Sequence, residues 1–164
     1  MGMEFAEFEN LLNNFKQVQK QHEEFIRKFL TEMGMRALAN TKKLTPVDTG
    51  NLRNRWELSD VFRNGDELYV VLFNPVEYAS FVEDGHMQRK RFLPIEHLDT
   101  PGGQKMVNSL KAKYGDDMKG IMLKDKWIPG YHMSRISINQ IEQEIPKRYE
   151  KALKEFMKGL GAGE

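Results

Sequence analysis

Over the first forty-odd residues, apolar side chains return at steps of three and four: Phe5, Phe8, Leu11, Phe15, Val18, Phe25, Phe29, Met33 and Ala37, with a polar interruption at His22. Charged and amide residues fill the positions between, so the spacing predicts one amphipathic helix from Glu4 to about Leu44. Such a helix is about 55–60 Å long, more than a domain of this size is wide, and part of it must project or pack on another copy. Phe8, Phe15, His22 and Phe29 are spaced by heptads, as are Leu11, Val18 and Phe25, so the stripe reads either as a core-facing face or as a coiled-coil seam. Gly34 predicts a bend in it.

The helical pattern stops in Thr45-Pro46-Val47-Asp48-Thr49-Gly50-Asn51-Leu52-Arg53. Pro46 cannot continue a helix, Gly50 accepts positive φ, and Asp48 and Thr49 can bond nearby backbone, so this is a rigid turn between helix and sheet. Two strand-like segments follow, Arg55 to Phe62 and Glu67 to Phe73, around Asn64-Gly65, a strong hairpin signal. A two-residue loop there sets Val61 opposite Leu68, Leu58 opposite Val71 and Trp56 opposite Phe73. It predicts one buried face made of Trp56, Leu58, Phe62, Tyr69, Val71 and Phe73.

Asn74 as N-cap, Pro75 at the first helical position, Glu77 at capping-box spacing and Gly85 past the end then specify a short helix, with Tyr78, Phe81 and Val82 on its buried side. From His86 to Lys126 the pattern weakens. His86 to Phe92 is basic, Leu93-Pro94-Ile95 is extended, and Thr100-Pro101-Gly102-Gly103 marks a turn. Gln104 to Tyr114 predicts a lysine-rich helix stopping at Gly115, with Met106, Val107, Leu110 and Tyr114 on one side. Too little here is apolar for a second core, so residues 86–126 read as an arm inserted in a single domain spanning 1–164.

Ile121-Met122-Leu123 and Trp127 to Met133 form the returning strand and its bend. A last helix begins at Ser137, in capping-box spacing with Gln140, and carries the stripe Ile138, Ile141, Ile145, Tyr149, Leu153, Phe156 and Leu160. Pro146 interrupts that stripe and predicts a kink or a restart. Residues 159–164 read as a flexible tail. The fold class is α+β: a long N-terminal helix on a small antiparallel sheet, a short helix after the hairpin, an inserted arm and a C-terminal helix.

Composition narrows the chemistry. The net charge of +1 on 164 residues creates no global field for nucleic acid or an anionic membrane. Cysteine is absent, which removes disulfides, thiolate catalysis and zinc sites built on sulfur, and the chain reads as intracellular. No stretch approaches the apolar length that crosses a bilayer, and the first residues lack the pattern of a signal peptide.

Asp48-Thr49-Gly50 matches the loop in which aspartic proteases hold their carboxylate, which in one copy per chain would require a homodimer. Its flanks lack the apolar lead-in strand and the small residue that should follow, so the turn reading is preferred. Glu83, Asp84 and His86, with His132 approaching in space, are the nearest thing to a metal cluster, but their spacing fits no named mechanism. Glu83 and Asp84 instead call for a cationic partner, for which Arg53 and Arg55, of the same or an adjacent subunit, are available. Arg89-Lys90-Arg91 is a basic run that suits a subunit-contacting face, or phosphate contact if it lines a DNA channel. Trp56 and Trp127 are core or interface anchors.

Three segments in order resemble a known family: the Pro46-Val47-Asp48-Thr49-Gly50 turn with Leu52, then Tyr78-Ala79 through Val82-Glu83 and Gly85, then Pro129-Gly130 and Met133 before the last helix. The chain is similar to the neck and tail-completion proteins of long-tailed bacteriophages and prophages, the "gene product ten" family of lambdoid phages, over residues 5–86 and 127–158. The resemblance implies no catalysis, no cofactor and no metal. It implies a ring, commonly of six copies, at the head-proximal tail end or in the neck, in contact with connector or stopper and tail-tube proteins. It further implies that DNA passes non-specifically through the lumen, that no membrane is involved and that assembly takes place in the bacterial host cytoplasm. Tyr78, Glu83, Asp84, Arg53, Arg55 and the Arg89–Arg91 run become the candidate subunit contacts. A prophage-encoded coiled-coil adaptor outside the particle is the other non-catalytic reading.

Overall fold

The computed structural model of the protein describes residues 5–161. The chain runs from α1 (Phe5–Leu44) through the turn to α2 (Asn51–Asn54), then β1 (Glu57–Leu58), β2 (Phe62–Asn64), β3 (Glu67–Tyr69), β4 (Leu72–Phe73) and α3 (Ala79–Asp84). After these come β5 (Gly85–Gln88), β6 (Arg91–Pro94), α4 (Pro101–Tyr114), β7 (Gly120–Leu123), β8 (Lys126–Pro129) and α5 (Met133–Gly161). The architecture is α+β, with antiparallel two-stranded ladders pairing β1 with β4, β2 with β3, β5 with β8 and β6 with β7.

The amphipathic stripe becomes the main helix contact. α5 lies antiparallel to α1: Phe25 stacks on Phe156 at 4.8 Å between ring centroids, Phe29 meets Tyr149 edge-on at 5.4 Å, and Met33 and Ala37 share a buried cluster with Ile141. Aromatic and aliphatic burial of this kind supplies most of the helices' stability, since an isolated helix in water is marginal. α5 runs out beside Gln21, where Phe156 and Leu160 line a cleft with Phe25. The 40-residue α1 continues past that point. Its stripe residues there, Phe15 and Val18, are 64% and 47% exposed, and Leu12, beside the stripe, is 42% exposed. The same stripe is thus core from Phe25 onward and uncovered before it, while the side chains of Phe5, Phe8 and Leu11 lie outside the described residues. Gly34 makes no break in α1; a Cβ there would come within 2.8 Å of Leu58, so the glycine seats the hairpin on the helix.

The hairpin forms, but with a different register and the opposite face inward. Gly65 and Asp66 form its loop, so Asn64 faces Glu67, Arg63 faces Leu68 and Phe62 faces Tyr69, whereas farther from the loop Leu58 faces Leu72 and Glu57 faces Phe73. The offset changes because the first strand carries one extra residue between the two ladders, a bulge. Ser59 closes it: its N–H donates to Val71 O at 2.9 Å, and its hydroxyl accepts from Val71 N at 2.8 Å in place of a backbone carbonyl. Leu58, Leu68, Val70 and Leu72 therefore turn toward α1, and Phe62, Tyr69, Val71 and Phe73, expected in the core, are exposed. Only Trp56 and Leu58 of the expected face stay inside. Glu23 and Arg27 of α1 fasten the hairpin through Arg63 (2.5 Å) and the Val61 carbonyl (3.0 Å).

Other local expectations change for identifiable reasons. Asn74 closes a side-chain turn, accepting from Val76 N at 3.1 Å and donating to Leu52 O at 2.8 Å, so the short helix starts only at Ala79. Its inner side is Ala79 and Val82, while Tyr78 and Phe81 are exposed. Gly85 ends it as expected, at φ 85. Thr100-Pro101-Gly102-Gly103 is the N-cap and first turn of α4, which stops at Gly115 as expected; Val107 is buried and Tyr114 is not. Ser137 is not a cap: α5 begins at Met133, and the fully buried Ser137 hydroxyl donates to Met133 O at 2.7 Å. Pro146 sits on the exposed side and the helix continues through it. Residues 159–161, expected in a flexible tail, belong to α5, and residues 162–164 lie outside the described ones. Of the two expected core or interface anchors, Trp56 is buried and Trp127, at 54% exposed, is outside the core.

Phe29→Ala should lower the unfolding free energy by about 3–5 kcal/mol, because the α1–α5 seam cannot collapse around the void. Phe15→Ala should leave it within about 0.5 kcal/mol. Urea denaturation of the two variants checks both.

Candidate functional site

The sequence turn and the short helix meet at one junction, where side chains from other elements satisfy three helix ends. Gly50 takes the left-handed conformation (φ 85) that starts α2, and Leu52 enters the core with Trp56, Ala79 and Met133. Arg53 then points back, its Nη2 donating to the Thr45 carbonyl at 2.9 Å at the C-terminal end of α1, where a cation is favoured. Thr49 Oγ1 accepts from Asn51 N at 3.3 Å, and Asn51 Nδ2 donates to the Tyr78 hydroxyl at 3.3 Å. Val47, Asp48, Thr49, Tyr78 and Val82 line a cleft of about 210 Å³ here.

Asp48 reaches across to the arm. Its Oδ1 accepts from Gly102 N at 2.6 Å, at the N-terminus of α4, and Gly102 permits the approach because a Cβ would sit 2.9 Å from that oxygen. The Thr100 hydroxyl and the Gly102 N–H hold the Asp48 carboxyl below the usual carboxylate value, with Lys105 adding a smaller share. A carboxylate held as an anion on a helix N-terminus is the opposite of a protease dyad, in which two carboxylates share a proton and one pKa is raised.

Glu83 does the same for α5. Its Oε1 accepts from Ser134 N at 3.1 Å, Ser134 Oγ at 2.6 Å and Arg135 N at 3.2 Å, so the cap that starts α5 comes from α3. Asp84 pairs with Arg135 at 3.2 Å. The expected pairing of Arg53 or Arg55 with Glu83 or Asp84 within one copy does not occur: Arg53 is committed to α1, Arg55 is exposed, and both acids are taken up by the start of α5. Tyr131 N and His132 N donate to Val82 O and Glu83 O at 2.8 and 3.0 Å, with His132 at φ 50. Gly130 packs so closely on this backbone that a Cβ would lie 2.2 Å from Glu83 O.

His86 Nδ1 lies 3.4 Å from Phe81 O. Among the described residues no three His, Cys, Asp or Glu side chains converge to hold a metal, and no helix is long and apolar enough to cross a membrane. Arg89, Lys90 and Arg91 are exposed where β5 passes into β6. The sequence reading missed the caps made by Glu83 and Asp48, because their partners lie 51 and 54 residues away. It also missed the exposed apolar side of the hairpin. Acidic and basic residues placed beside helix boundaries were the available signal for the caps.

Residues 9–85 match the family model HK97-gp10_like, described as "Bacteriophage HK97-gp10, putative tail-component". The matched segment covers most of α1, the turn, the hairpin and α3, and stops at Gly85, where the arm begins. It supports the likeness to phage tail proteins over the first half of the chain; the arm and residues 127–158 lie outside it. Among curated proteins and among solved structures, nothing matches.

Asp48→Asn should speed amide exchange at Gly102 and Gly103 without changing that of the α1–α5 seam. Because the Asp48 pKa is lowered on folding, the contribution of its bond to the start of α4 should be fully present above the ordinary carboxylate pKa and lost as pH falls through the lower folded value. An NMR titration of the Gly102 amide reads that midpoint. Gly130→Ala should destabilise by about 1–3 kcal/mol or more, since it forces backbone apart, and thermal unfolding measures it.

Proposed function

We propose that this chain, which carries the match to the HK97 gp10-like phage tail components in residues 9–85, is a structural virion protein. It forms a ring in the phage neck or at the head-proximal end of the tail, joining the tail to the head connector and letting DNA pass. The family match supports a tail protein. The ring is supported by apolar surface that one copy leaves uncovered, above all the projecting end of α1 with Leu12, Phe15 and Val18. In this reading the partners are further copies of the chain, the connector or stopper, and the tail tube. DNA is touched through phosphate alone, and the site belongs to assembly with no catalytic step.

Deleting the gene and imaging the lysate by electron microscopy tests this reading. Unjoined heads and tails, or malformed tail ends, are expected, with infectivity restored by the gene in trans. Normal infectious particles would overturn it.

A further inference from the structure

The arm and the hairpin carry opposite charges and are both apolar on the outside. On the hairpin, Phe62, Tyr69, Val71 and Phe73 are 40–47% exposed, and the Phe62 and Tyr69 rings lie 5.7 Å apart across the ladder. By strand alternation Glu67 shares this face, and Glu57 lies opposite Phe73. Over residues 57–77 the acids are Glu57, Asp60, Asp66, Glu67 and Glu77, all exposed. The single base, Arg63, is already paired with Glu23.

The stem of the arm is the converse. Met87 faces Trp127 and Phe92 faces Met122 across its ladders, and all four are 53–59% exposed. Around them stand Arg89, Lys90, Arg91, Lys119, Lys124 and Lys126, all exposed and none in an ion pair among the described residues. The one acid of the stem strands and their turns, Asp125, accepts from Lys90 N at 2.7 Å. Within one copy neither surface covers the other, since both are exposed.

We infer that the arm stem of one copy lies on the outer face of the hairpin of the next, apolar on apolar and basic rim against acidic rim. The inference rests on the ring reading above. The two patches differ, so the contact is head-to-tail, the type that closes into a ring, and the charges fix which surface meets which and in what direction. It also assigns the Arg89–Arg91 run to a neighbouring subunit and not to DNA.

The test is a charge swap in the full-length chain, read by analytical ultracentrifugation. Arg91→Glu with Lys124→Glu on the arm, or Glu57→Lys with Glu67→Lys on the hairpin, should each weaken association by roughly tenfold or more. All four changes together should restore most of it. Trp127→Ser, at an exposed position, should weaken association without a change of charge, and circular dichroism confirms that each variant folds. The inference is overturned if the reversals leave association intact, if the fourfold variant is no better than its parents, or if the unaltered chain stays monomeric at its solubility limit. Retained assembly with loss of DNA retention in the arm variant would also overturn it and assign the basic run to nucleic acid. An oligomer that survives every swap but dissolves on Phe15→Asp would remove this interface and leave the ring standing. The ring reading itself fails on the particle phenotype.

Discussion

Helix ends that cannot satisfy themselves, and that are satisfied by charged side chains from elsewhere in the chain, hold this molecule in its shape. The first N–H groups and the last carbonyls of any α-helix lack partners within it. Here Arg53 serves the end of α1, Asp48 the start of α4 and Glu83 the start of α5, each with the sign that the helix dipole favours. All three come from the turn and the short helix, so a compact patch around residues 46–85 fixes the directions in which the two long helices and the arm leave it. Asp48, Glu83 and Asp84, which first suggest chemistry, each hold a partner at the start of a helix.

Where a feature was determined locally, the sequence showed it. The period of α1, the stops at Gly85 and Gly115 and the apolar stripe of α5 from Ile141 onward needed only spacing and backbone freedom. Where the determinant was remote, it did not. Ser137 matches a capping box as well as many real ones, but Glu83 starts α5 four residues earlier. Asn74 has the residue type of a helix cap and is used for a turn, because its amide is drawn to the Leu52 carbonyl. A one-residue bulge held by a serine hydroxyl turned the whole outer hairpin face to solvent, and nothing in the alternation of that strand announces it.

The match to the phage tail-component family model covers residues 9–85 of the chain. The family match ends at Gly85, and the arm, which lies outside the matched residues, is rooted where Gly85 and Gly130 let two backbones touch. Its nine Lys and Arg against five Asp and Glu over residues 86–126 reverse the balance of the body, which is net acidic in a chain of charge +1. Near-neutral overall composition therefore conceals two opposed surfaces, and only their placement in the fold separates them.

The root of the arm lies two residues from the carboxylate that starts α5. Strand β5 leaves directly from that helix end, and β8 returns to it through Pro129 and Gly130. A pull on the arm is therefore not taken up by a slack linker. It is delivered to the first turn of α5, the helix whose apolar side packs on α1.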